Sequence, residues 1–159
     1  HDPKGFGRIR IHRIQGPTID ALIPFVRENV MPGATIRTDG SAIYAPLQKD
    51  GFGHEPFVQL GSKIPAHVSL PGVHRVISLL KRWLLGTHQG AVDPRHVDYY
   101  LDEFAFRFNR RSSRSRGMLF YRLLQQSAAT TPTTYANIRE NERPAPAALL
   151  VIETVELNG

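Results

Sequence analysis

His74 and Lys81 stand seven residues apart in the run Pro71-Gly72-Val73-His74-Arg75-Val76-Ile77-Ser78-Leu79-Leu80-Lys81-Arg82. At about 3.6 residues per helical turn, residue i+7 returns to within roughly 20° of residue i, so the two side chains point the same way. An imidazole can ligate a metal, and an ammonium can hold a phosphate as a point charge. Upstream, Thr38-Asp39-Gly40 follows the strand-like run Ala34-Thr35-Ile36, which delivers the Asp39 carboxylate at a strand end. Acid, imidazole and amine can therefore converge on one cleft. Each also has a plainer reading. Asp-Gly is a common turn dipeptide, His74 suits a helix surface, and Lys81 beside Arg82 suits solvent.

The elements that must position these groups follow from periodicity. Gly7 to Ile14 alternates basic and β-branched residues, the pattern of a half-buried strand with a cationic outer face. Pro17-Thr18-Ile19-Asp20 opens a helix to about Val30, with Ile19, Leu22, Ile23 and Val26 inward and Pro32-Gly33 as its stop. A strand is expected over 34–38, a helix over Ala42 to Lys49 and a short strand over Pro56 to Leu60. This alternation predicts an α/β layered sheet.

Next comes the helix that carries His74 and Lys81. Its apolar stripe is Val73, Val76, Ile77, Leu80 and Leu84, and it stops near Gly86. Asp93-Pro94 starts another helix, since Asp caps exposed amides and Pro suits the first helical position. Val97, Tyr100, Leu101, Phe104 and Phe108 form its core stripe, and a last helix spans Met118 to Ala128. Beyond Thr130 the texture changes to Thr/Pro-rich stretches and the apolar Leu149-Leu150-Val151-Ile152, which suits disorder or an edge strand. Residues 1–130 thus read as one domain and 131–159 as a linker and tail.

The chain has 159 residues, 41% of them hydrophobic, enough for one packed core. Its net charge is +6. Residues 1–139 carry 19 Lys/Arg against 10 Asp/Glu, while 140–159 carry one Arg against four Glu. The body is basic and the tail acidic; a basic body is the footprint expected of a protein that meets phosphate backbones, although ribosomal or anionic-membrane contact would also produce it. Arg107, Arg110, Arg111, Arg114, Arg116 and Arg122 fall in a stretch with no acid, a block that must be solvated or face a polyanion. There are no cysteines, hence no disulfides and no thiolate zinc sites. No apolar run suits a membrane span and no signal peptide opens the sequence, so a cytoplasmic location is expected.

Several motifs in order resemble one family. Thr38-Asp39-Gly40-Ser41-Ala42-Ile43-Tyr44, then Pro71 to Arg82, then Leu101-Asp102-Glu103-Phe104 and Phe106-Arg107-Phe108-Asn109-Arg110-Arg111 are similar to the catalytic domain of bacterial insertion-sequence DDE transposases of the ISXO type. The resemblance covers roughly Gly5 to Ile138. It implies an RNase H-like three-layer α/β fold with extra C-terminal helices. It also implies DNA transposition, meaning metal-dependent cleavage at the element's ends and strand transfer to target DNA, by a protein that is a homo-oligomer at full length. In that family a first Asp lies on an early strand, a second in a T-D-G motif, and a third ligand on a later helix with a Lys or Arg seven residues on. Asp39 matches the second acid and Lys81 the trailing cation.

The aligned third position holds His74, where many members carry Glu or Asn. The first Asp is expected before the Gly7–Ile14 strand. Asp2 is too close to that strand to serve, so the sequence reads as the C-terminal part of a longer transposase, truncated at its first strands and short of one metal ligand. Asp39 and His74 are then the metal ligands, for Mg2+ or, because imidazole is the softer donor, for Mn2+. Lys81, Arg82, Arg107, Arg110, Arg111, Arg114 and Arg116 are the DNA contacts.

Other readings stay open. One is a non-catalytic DNA-binding remnant, another an unrelated metal-dependent phosphodiesterase. His67 and His88 flank the His74 helix, although their spacings match no local zinc motif. Tyr44 has the chemistry of a phosphotyrosine-forming nucleophile, but a core role fits it as well.

Overall fold

The computed structural model describes residues 7–57 and 70–139 together with the backbone of the strand 148–154. Two small sheets and a set of helices form around strand β1, Arg8–Ile14. The alternation in β1 sends its two faces to two different cores. Ile9, fully buried, and Ile11 pack with Val76, Leu80, Leu101, Phe104 and Phe108, whereas Ile14 joins Leu22, Ile23, Phe25, Val26, Leu47 and Phe52. Full burial of a side chain such as Ile9 is worth about 1.5–3 kcal/mol. Arg13 lies on the Ile9 face, its side chain only 6% exposed, and pairs with Asp98 at 3.1 Å. The expected cationic face of β1 is thus carried by Arg8 and Arg10.

Helix α1, Ile19–Asn29, covers the Ile14 face. Phe25 takes the inward place expected of Ile19, which is 46% exposed, and stacks on His12 with ring centroids 5.4 Å apart. Strand β2, Thr35–Thr38, and a 3-10 helix, Ala42–Gln48, follow as the pattern predicts. Strand β3 is Gly53–Pro56, earlier than the expected Pro56 to Leu60; residues 58–60 lie outside the described part. Pairing decides this register. β3 runs parallel to β2 with Gly53 opposite Thr35, and a Cβ on Gly53 would sit 2.7 Å from Thr35 Oγ1, so the strand begins where glycine permits close approach.

Helix α2, Pro71–His88, carries His74 and Lys81. It runs past Gly86, where the sequence predicts a stop. A helical glycine costs only about 0.5–1 kcal/mol, and the edge-on packing of Trp83 against His88, 4.8 Å between centroids, continues beyond it. The helix ends instead at Gln89 and Gly90, both with positive φ, where the Gln89 and Gly90 N–H groups reach the Leu84 carbonyl. Asp93 caps the next segment by accepting from the Arg95 N–H at 2.9 Å, giving a 3-10 turn Pro94–His96 and then α3, Val97–Asn109. Leu101, Phe104 and Phe108 are the buried members of the expected stripe.

Helix α4, Gly117–Ala129, buries none of its residues; its apolar Leu123 and Leu124 are exposed with Met118, Phe120 and Tyr121. A short helix α5, Tyr135–Arg139, lies where the sequence predicts only linker. Leu149 to Ile152 lie in β4, Ala148–Thr154, paired antiparallel with β1. The chain is a mixed α/β protein, but among the described residues the strands make two pairs, β1 with β4 and β2 with β3, and not the single layered sheet expected.

Candidate nucleic-acid and catalytic site

Thr38, Asp39 and Gly40 turn the chain at the carboxyl end of β2. Thr38, 5% exposed, is the buried polar residue there, and its hydroxyl bridges His54 Nε2 at 2.8 Å and the Gly40 N–H at 3.3 Å. Gly40 has φ 81°, a conformation that favours glycine. Asp39 stays exposed, and its Oδ1 accepts from the Ser41 N–H at 3.1 Å. Nearby, Tyr44 lies tilted against His54, with 6.2 Å between ring centroids. Burial, and then the Asp39 charge, push the Tyr44 hydroxyl above its ordinary pKa. The packing of Tyr44 against the α1 core fits the core role the sequence allows it.

Sequence reasoning missed His54. It became visible only with the β3 register, which sets His54 opposite Ile36 and brings its ring to Thr38.

His74 occupies the first turn of α2, half-buried, with its N–H on the Leu70 carbonyl at 3.2 Å. Lys81 and Arg82 are exposed on the same helix. Ile36 and Tyr44, which flank Asp39, pack in the α1 core, whereas α2 packs in the other core. No hydrogen bond or ion pair joins Asp39 to His74. Among the described residues no group of three or more His, Cys, Asp or Glu comes together. His88 lies fourteen residues from His74, about 21 Å along a helix at 1.5 Å per residue, too far to share an ion. Its Nε2 is buried without a hydrogen-bond partner between Trp83 and Tyr100. His67 lies outside the described residues.

The arginines divide into three groups. Arg107 on α3 and Arg111, four residues on in the turn just past its end, face α2 across a cleft that Arg75 and Arg82 border from the other side. Arg110 turns elsewhere, its guanidinium 3.8 Å from the centre of the Phe106 ring. Arg114 and Arg116 are exposed in the loop before α4. Arg107 is paired with Glu103 and Arg111 stacks on Phe108 at 4.0 Å, so both cations are held in place. Arg75 was not singled out by the sequence. It sits one residue beyond His74, and only helical spacing to Arg82 could have signalled it.

No helix among the described residues is long and apolar enough to cross a membrane. Comparison with curated proteins and with solved structures finds no match. The family model for the ISXO2-like transposase domain matches residues 1–109, which ends at Asn109, short of the Ile138 reached by the motif resemblance. That family implies DNA as a partner and use of a divalent metal in general. The match spans both cores, the T-D-G turn and the whole of α2 and α3, and on it the chain belongs to the ISXO2-like transposase domain family, the DDE transposases of bacterial insertion sequences.

Proposed function

We propose that this chain is the C-terminal part of an RNase H-like transposase catalytic domain, ending near residue 130, that cleaves DNA at element ends and joins the freed 3′-hydroxyl to target DNA. The observation that supports it best is the exposed Asp39 carboxylate just past β2 of the parallel pair. Open α/β sheets place their ligands at that edge. Asp39 and His74 are the metal ligands this chain contributes, Lys81 contacts a phosphate, and Arg82, Arg107, Arg110, Arg111, Arg114 and Arg116 grip the backbone. A divalent ion, when bound, supplies charge neutralisation at the transferring phosphate. One carboxylate and one imidazole do not hold two such ions, so a first Asp from upstream completes the set. The enzyme acts in the cytoplasm and as a homo-oligomer.

Strand-transfer assays on an element-end duplex test this. The 159-residue chain should be inactive in Mg2+, and a chain extended upstream through a strand-borne Asp should be active and favour Mn2+ if His74 is a ligand. His74→Glu should return the preference toward Mg2+. Activity in the 159-residue chain would place the acids elsewhere. An extended chain indifferent to Asp39→Asn would remove Asp39 from catalysis.

A further inference from the structure

The cleft between α2 and α3 has a second chemistry that phosphate gripping does not use. Its floor is apolar and largely aromatic: Leu79 and Trp83 from α2, Phe104 and Phe108 from α3. Its rim is cationic, Arg75 and Arg82 on one side and Arg107 and Arg111 on the other. Both helices repeat this alternation at helical spacing. On α2 the order is Arg75, Leu79, Arg82, Trp83, and on α3 and the turn that ends it Phe104, Arg107, Phe108, Arg111, so each segment turns one mixed face to the cleft. The volume is about 920 Å3, within the range of small-ligand sites.

A duplex shows a protein its phosphates and groove edges and keeps the flat faces of its bases stacked away. Only an unpaired strand offers bases to an aromatic floor and phosphates to an arginine rim together. The floor already accepts a flat cationic group, since the Arg111 guanidinium lies 4.0 Å over Phe108. Trp83 is half-buried and lines the cleft, with Phe104 tilted against it at 5.7 Å, so a ring entering from the open side would meet an aromatic surface backed by another. An acidic peptide would satisfy the rim but leave the aromatic rings without a flat partner.

From this charge and shape complementarity we infer that the α2–α3 cleft binds single-stranded DNA, with at least one base stacked on Trp83 and the flanking phosphates on Arg75, Arg82, Arg107 and Arg111. The inference rests on the DNA-binding reading given above and adds what state of DNA this face recognises.

Trp83 is the chain's single tryptophan, so its fluorescence reports from this cleft alone. The test titrates the 159-residue chain with oligothymidylate of about ten nucleotides, a length within single-strand site sizes. An abasic oligomer and a duplex of equal length are run beside it. Oligothymidylate should quench Trp83 and bind at least about fivefold more tightly than the abasic oligomer, the lower end of base–aromatic stacking. Trp83→Ala should remove that margin. Because Trp83 also packs against the core, Arg82→Ala at an exposed position provides the second variant, and it should lower the salt slope by about 0.7. Equal binding of oligothymidylate and abasic oligomer without quenching overturns the stacking site. Binding of the duplex alone overturns it too, and leaves the DNA reading standing. Failure of all three DNAs to bind removes both.

Discussion

Asn109 and Ile9 are joined by two hydrogen bonds across a hundred residues of sequence: the Ile9 N–H donates to Asn109 Oδ1 at 2.7 Å, and Asn109 Nδ2 donates to the Ile9 carbonyl at 3.0 Å. The last residue of α3 thus acts as a strand partner for β1 on the edge away from β4. Because Ile9 is fully buried, no solvent could serve its N–H if the amide were removed, whereas its carbonyl also accepts from Arg10 Nη1 at 3.1 Å. The bond pair ties the C-terminal end of α3 to β1.

Asn109→Ala should cost about 1–3 kcal/mol, since it leaves the buried Ile9 N–H unsatisfied while the Ile9 carbonyl keeps its bond from Arg10 Nη1. Urea unfolding followed by circular dichroism measures this as a lower midpoint at unchanged slope. A variant within about 0.5 kcal/mol of the parent would show that water replaces the amide.

Tyr44 gives a readout for Asp39 independent of catalysis. Its pKa is raised first by burial and then by the Asp39 charge, so Asp39→Asn should lower it part of the way toward the ordinary phenol value and leave the burial contribution. A divalent cation held at Asp39 should act in the same direction. Ultraviolet difference titration of the parent against Tyr44→Phe isolates this ring from the other four tyrosines. A Tyr44 titration unmoved by Asp39→Asn would show that the two groups do not sense one another.

Two carboxylates near α3 should give pH dependences of opposite sign. Asp93 is held down to about 2, mainly by the side-chain bonds from Arg95 and then by the Arg95 backbone N–H. Its contribution to stability is present above the unfolded value near 4 and is lost as pH falls toward 2. Asp102 is pushed up by burial and by Asp98, against a smaller opposing effect of His12. It therefore destabilises increasingly as pH rises above its unfolded value. Thermal melts across pH should show Asp93→Asn less stable than the parent at pH 7, with the gap closing below pH about 4. Asp102→Asn should be slightly more stable at pH 7, by a small margin because Asp102 is only partly shielded and solvent screens its charge.

If the loop arginines grip a duplex backbone, Arg114→Ala with Arg116→Ala should weaken binding equally for unrelated sequences. The log–log salt slope should fall by about 1.8, near 0.9 for each phosphate that the protein no longer neutralises. Fluorescence anisotropy at several salt concentrations measures it. An unchanged slope would remove Arg114 and Arg116 from the interface.

Local pattern alone determined much of this protein. The period-two run Arg8–Ile14, the stripes on α2 and α3, and the Asp93-Pro94 start are set by residue spacing and by capping chemistry, which act within a few residues. The motif order Thr38-Asp39-Gly40, Pro71 to Arg82 and Phe106 to Arg111 carried the family in the same way. Contacts distant in sequence decided the rest. The β3 register depends on Gly53 meeting Thr35, and through it His54 meets Thr38. The division of β1 between two cores depends on which helices cover its faces. Asn109 reads locally as the first residue of a polar loop, and only folding shows it completing β1. The α2–α3 cleft is of the same kind. Each helix encodes its own face of arginine and aromatic residues, but tertiary packing sets one face against the other, because pairing between distant segments is a property of the assembled core and of no single window of sequence.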